Sequence, residues 1–158
     1  MRRASSEAAI RTLVVDDSPL MLKILAQILK EVGDFVLVGA ATDGRQALRS
    51  AAALSPDLVL MDSHLPRLNG IQATEYIKRF EQPPVVVVIT SDDSSTSRSL
   101  ALKAGADAFV VKGRDLRERL SGTLCGLFAP GAHGRRKSRR VSLQTPPEGR
   151  TEPPAYAR

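Results

Sequence analysis

Short unbroken apolar runs punctuate this chain, and stretches with helical spacing lie between them. Leu13-Val14-Val15, Leu58 to Met61, Val85 to Ile89 and Phe109 to Val111 are too short for helices and show no alternation, which is the pattern of strands buried on both faces. The first strand is placed at residues 11–15, and a further strand is expected from Phe35 to Ala40. After Ser18-Pro19, an N-cap followed by proline at the first helical position, Leu22, Leu25, Ile28, Leu29 and Val32 recur as far as Gly33, a helix-ending glycine. Asp43-Gly44 introduces a helix from about Arg45 to Leu54. Asn69-Gly70 opens another, with Ile71, Tyr76, Ile77 and Phe80 as its expected buried stripe.

The segment Ser91 to Ala104 is helical by position but begins with Ser, Thr and Asp, which favour turns and caps over helix interiors. It is expected to be the least stable helix. Leu116, Leu120, Leu124 and Leu127 then supply a last amphipathic helix ending before Pro130, on which Cys125 is expected to be a small, unreactive buried residue. Strands and helices thus alternate as five βα units, which predicts an α/β fold with a parallel sheet and helices on both faces.

In an open parallel sheet every strand ends at the same edge, and that edge is where ligands bind. Four of these strands are followed by polar residues: Asp16-Asp17, Asp62, Thr90 and Lys112. Residues distant in sequence therefore converge on one cleft. Three carboxylates, a hydroxyl and an ammonium group suit a divalent cation and a phosphoryl group, with Mg²⁺ the cation that accepts oxygen ligands alone while keeping several waters. Lys112 and Thr90 can each hold a phosphoryl oxygen, and Asp62 remains as a carboxylate nucleophile. Taken singly, each residue has a plainer reading as a helix cap or part of a solvated loop. An imidazole role for His64 lacks a second histidine nearby.

Composition narrows the classes. A chain of 158 residues with 42% apolar and 25% charged content is expected to hold one globular domain. The single Cys125 excludes an internal disulfide and fits a reducing, cytoplasmic location. Arg2-Arg3 is followed by polar residues, which argues against an export signal, and no apolar run approaches the roughly 18 to 20 residues that span a bilayer. Of the net charge of +6, residues 130–158 supply most, with seven Arg or Lys against Glu148 and Glu152. That stretch is poor in aliphatics and is expected to be a disordered basic tail, after a polar leader at 1–10 and a domain at 11–129.

Val15-Asp16-Asp17-Ser18, Met61-Asp62-Ser63-His64-Leu65-Pro66 with Gly70, Ile89-Thr90-Ser91, and Val111-Lys112 resemble, in order and spacing, the four motifs of the receiver domain of two-component response regulators. The resemblance covers residues 11 to about 127. It implies a flavodoxin-like (βα)5 fold with strand order 2-1-3-4-5, here in a stand-alone receiver. It also implies that Asp62 accepts a phosphoryl group from a sensor histidine kinase or histidine phosphotransfer protein. Asp17 would bind Mg²⁺ directly and Asp16 through water, with Asp62 and the backbone carbonyl of His64 as further ligands. Thr90, Ser91 and Phe109 match phosphate-binding and switch positions, and Lys112 the phosphate-binding lysine. By the same resemblance His64 and Asp92 flank the path of the attacking water, where their pairing would form a lid; the alternative is that both point into solvent.

One departure is visible, since the family's usual proline after the lysine is Gly113, so no prolyl isomerisation is expected there. An unidentified downstream protein, a homodimer formed on phosphorylation, and polyanion contact through Arg135 to Arg140 complete the expected partners. The only catalysis expected is of the domain's own phosphorylation and dephosphorylation. Two rival readings fit less well. Haloacid-dehalogenase-type phosphatases carry Asp-x-Asp after their first strand, whereas this chain has adjacent Asp16-Asp17 there and a lone Asp62 after the third. A helix-turn-helix regulator needs roughly 60 further structured residues, and no second helical apolar repeat follows Ala129.

Overall fold

In the computed structural model, which describes residues 8–129, strand and helix alternate throughout. They run β1 (Ile10–Val15), α1 (Pro19–Val32), β2 (Phe35–Ala41), α2 (Gly44–Leu54), β3 (Leu58–Asp62), α3 (Gly70–Lys78), β4 (Val85–Thr90), α4 (Ser95–Lys103), β5 (Ala108–Val111) and α5 (Leu116–Leu127). Each pair of sheet neighbours is parallel and the order is β2-β1-β3-β4-β5, the flavodoxin-like topology expected. The expected tail at 130–158, with its Arg135 to Arg140 cluster, lies outside the described residues, as do the first seven residues of the leader. Among the described residues, no helix is long and apolar enough to cross a membrane.

Alternation along the strands builds a core on each side of the sheet. Leu58, Leu60, Val85, Val87 and Ile89 pack with Leu25, Ile28 and Leu29 of α1 and with Leu116, Leu120 and Leu124 of α5. Val59, Met61, Val86 and Val88 pack on the other side with Ala47, Leu48 and Ala51 of α2, Ala73 and Ile77 of α3, and Ala101 of α4. Burying each of these Leu, Ile or Val side chains stabilises the fold by about 1.5–3 kcal/mol. Ser18 caps α1 by accepting from the Met21 amide, and Gly33 ends it at φ +80°, both as the sequence predicts.

The structure departs from expectation at four places. β5 is a sheet edge, so of its residues only Val110 is buried. In α3, Ile77 is buried but Ile71 and Tyr76 are half-covered, as is Phe80 just beyond the helix, because the other fully buried positions go to the small Ala73 and Thr74. Cys125 is exposed, one position away from the buried Leu124 on the α5 surface. Finally, α4 starts at Ser95 and not at Ser91, because Asp92 and Ser94 spend their side chains on the turn that precedes it.

Candidate functional site

Strand register carries the candidate residues to one edge. Val15 lies beside Met61, Asp62 beside Ile89, and Thr90 beside Val111, so Asp16, Asp62, Thr90 and Lys112 all emerge at neighbouring strand ends. The ladder runs one residue further: the Ser63 amide donates to the Ile89 carbonyl at 3.1 Å, and that of Lys112 to Thr90 at 2.7 Å. α3 starts directly against the end of β3. A Cβ on Gly70 would stand 1.7 Å from the Asp62 carbonyl oxygen, while the Gly70 amide donates to the Ser63 carbonyl at 3.0 Å. Only glycine permits that approach.

Carboxylate oxygens of Asp16, Asp17 and Asp62 lie within 4.8 Å of one another. Asp16 and Asp62 are buried and Asp17 is exposed. The Lys112 ammonium donates to Asp16 Oδ2 at 2.8 Å and lies 3.4 Å from Asp62 Oδ1. Asp16 Oδ1 accepts from the Ser18 amide at 2.9 Å, and Asp62 Oδ1 from the His64 amide at 3.3 Å. Burial raises the pKa of Asp62 above the ordinary carboxylate value; Lys112 opposes this, Asp16 adds to it, and the His64 N–H opposes it again. With one ammonium against three carboxylates, the cluster fits a divalent cation. Its all-oxygen donors suit Mg²⁺.

Thr90 is fully buried, and its Oγ1 lies 2.7 Å from the Ser63 hydroxyl, with which it shares a hydrogen bond, and accepts from the Asp92 amide at 3.1 Å. Ser63 Oγ lies in turn 2.8 Å from His64 Nδ1. Sequence reasoning did not single out Ser63. Its hydroxyl beside the candidate nucleophile was the available signal, but the partner depends on β3–β4 register, which the sequence does not display. Ser91 is exposed, and Phe109 is half-buried with the Arg98 guanidinium 4.8 Å from its ring centroid.

The lid pairing of His64 with Asp92 is not formed: His64 is exposed, in line with the alternative reading, and Asp92 is half-exposed with its carboxylate in local bonds. The imidazole is seated on Ser63. Asp92 accepts from the Ser97 hydroxyl, from the Ser94 amide at 2.9 Å and from the Ser94 hydroxyl at 3.2 Å. Those bonds, the Ser97 hydroxyl first, hold the Asp92 carboxyl below its usual pKa, with His64 adding a smaller electrostatic pull. Local capping of α4 has claimed the carboxylate.

Residues 12–121 match the family profile of the response regulator receiver domain. The protein-glutamate methylesterase/protein-glutamine glutaminase 2 of Carboxydothermus hydrogenoformans is 37% identical over 105 residues, which is 65% of this chain but only 29% of that protein. The chain thus spans less than a third of the length of such relatives. The solved response regulator domain of Thermotoga maritima CheB matches with a TM-score of 0.65 at 33% identity, covering 73% of this chain and 90% of that one. The CheX-CheY-BeF3-Mg+2 complex from Borrelia burgdorferi matches at 0.71 and 28% identity, covering 77% and 90%. With the profile running from β1 into α5 over the observed 2-1-3-4-5 sheet, this chain belongs to the response regulator receiver family, the phosphoacceptor domains of two-component signalling.

Proposed function

We propose that Asp62 is the phosphoacceptor, taking its phosphoryl group from a sensor histidine kinase or a histidine phosphotransfer protein, and that phosphorylation changes what this domain binds. The observation that carries the choice is the pairing of the three carboxylates. Both oxygens of Asp16 are engaged, one by Ser18 and one by Lys112, and Asp17 is exposed. Asp62 is buried with its bonds on Oδ1, and among the described residues no hydrogen bond takes Oδ2. Oδ2 is therefore the oxygen that attacks phosphorus as the bond to the donor's histidine nitrogen breaks, leaving an acyl phosphate on Asp62.

Lys112 and Thr90 supply donors for the oxygens of the transferred group. Asp16, Asp17 and Asp62, with the His64 backbone carbonyl, would hold Mg²⁺, whose charge offsets that of the phosphoryl oxygens. A relative solved with Mg²⁺ and BeF3, the latter a stand-in for a phosphoryl group, supports both parts of the reading. The receiver unit is residues 11–129 and works in the cytoplasm, where such kinases present their phosphohistidine.

Intact-mass measurement after treatment with a small phosphodonor and Mg²⁺ tests the assignment. Wild type should gain one phosphoryl group, Asp62→Asn none, and chelator should abolish the gain. Stoichiometric labelling of Asp62→Asn would contradict it.

A further inference from the structure

The Ser63–Thr90 bond links two strand ends on the α3 and α4 side of the sheet. Met61 pairs with Val88 in the parallel ladder, and two residues on, at the same face, Ser63 meets Thr90. Both side chains are buried, Ser63 at 6% exposure and Thr90 at 0%. Thr90 Oγ1 has two partners, Ser63 Oγ and the Asp92 amide, and neither is Asp62, whose own partners are Lys112 and the His64 amide. The hydroxyl expected to serve the phosphoryl group is thus paired with groups other than the candidate nucleophile.

We infer that Ser63 is a positioning residue of the switch, holding the Thr90 hydroxyl back from Asp62 until a phosphoryl group competes for it. The inference rests on the reading of Asp62 as phosphoacceptor and Thr90 as the hydroxyl that answers it. It takes the arrangement in which Ser63 gives its proton to His64 Nδ1 and Thr90 donates to Ser63, so that the single Thr90 proton is in use. In the opposite arrangement, with His64 Nδ1–H donating to Ser63 and Ser63 to Thr90, that proton is free for a phosphoryl oxygen and Ser63 restrains nothing. In the first arrangement Thr90 gives up a hydrogen bond to reach the phosphoryl group. Ser63 then keeps His64 as a partner at 2.8 Å, so release does not strand a buried hydroxyl, and the exchange stays reversible.

The test is binding of beryllofluoride in the presence of Mg²⁺, followed as a change in amide chemical shifts, for wild type, Ser63→Ala, Ser63→Thr, Thr90→Ala, Ser63→Ala/Thr90→Ala and Asp62→Asn. Removing one neutral hydrogen bond that opposes the bound state should tighten binding about threefold to tenfold in Ser63→Ala. Ser63→Thr, which keeps the hydroxyl, should stay near wild type. In the Thr90→Ala background the Ser63 substitution should have no further effect, because its partner is gone. Unchanged or weaker binding by Ser63→Ala, or the same gain in the Thr90→Ala background, would overturn the inference while leaving the phosphoacceptor reading intact. Wild-type affinity in Asp62→Asn or Thr90→Ala would instead overturn that reading, and the inference with it.

Discussion

Every residue of β3 and β4 is buried, whereas α4, which follows β4 in the chain, buries only Ala101 and leaves Leu100 and Leu102 about half exposed. The strands are clamped between two apolar layers and deliver Asp62 and Thr90 at fixed positions. The helix is tied down by one alanine, by Arg98 over the Phe109 ring, and by a capping network of Asp92, Ser94 and Ser97 that is largely open to water. Rigid elements hold chemistry in place, while a marginal one can shift between arrangements when a nearby charge changes. Phosphorylation at the strand ends would therefore be felt most in the segment from Thr90 through α4 to β5.

The contrast is broken or sharpened most strongly by truncating one side chain in each region. Leu60→Ala, in the middle of β3, should destabilise the domain by about 2–5 kcal/mol through lost burial and a residual cavity. Leu100→Ala on α4, 49% exposed, should stay within about 0.5 kcal/mol. Urea unfolding of both variants measures this, and comparable losses would mean that α4 is no softer than the strands.

A smaller effect comes from the charge of the cleft. The Asp62 carboxyl has a raised pKa in the folded chain, chiefly through burial, so between its unfolded value of 3.8 and the raised folded value the native state binds the proton more readily. Stability contributed by this group accordingly falls as pH rises through that window, and ionised Asp62 is a cost at neutral pH. Asp62→Asn should then be more stable than wild type at neutral pH, with the advantage shrinking toward pH 3.8. Mg²⁺ at ten times its dissociation constant should return about 1.4 kcal/mol to wild type and less to Asp62→Asn. Thermal unfolding against pH and Mg²⁺ decides it; an Asp62→Asn protein that is less stable at neutral pH would show that the cleft is not under electrostatic load.

How far the sequence could be read follows the same division. Where apolar runs are unbroken, as at Val85 to Ile89, strand position and burial were both legible, because no other element accommodates so short a run. The strand order came from the family resemblance, whereas the convergence of the carboxylates followed from the parallel sheet alone, since every strand ends at the same edge. What stayed hidden depended on distances across the sheet. Adjacent Asp16 and Asp17 look alike in sequence, but one is buried against Lys112 and the other faces water. Likewise Ser63 and Thr90 meet through register, 27 residues apart. In α4 and α3 local chemistry misled: Asp92 stands as a possible partner for His64 until its cap partners are seen, and the small Ala73 and Thr74 take the fully buried positions that the larger Ile71 and Tyr76 do not.

The central claim, that rigid strand ends hold the chemistry and the soft segment beside them responds, is tested most directly by amide hydrogen exchange on fully phosphorylated and unphosphorylated protein, with Asp62→Asn treated identically. The account predicts changes concentrated in residues 90–112, little change in β1 and β3 beyond the cleft, and none in Asp62→Asn. An unchanged pattern in the phosphorylated protein, or one spread evenly through the β3 and β4 core, would contradict it.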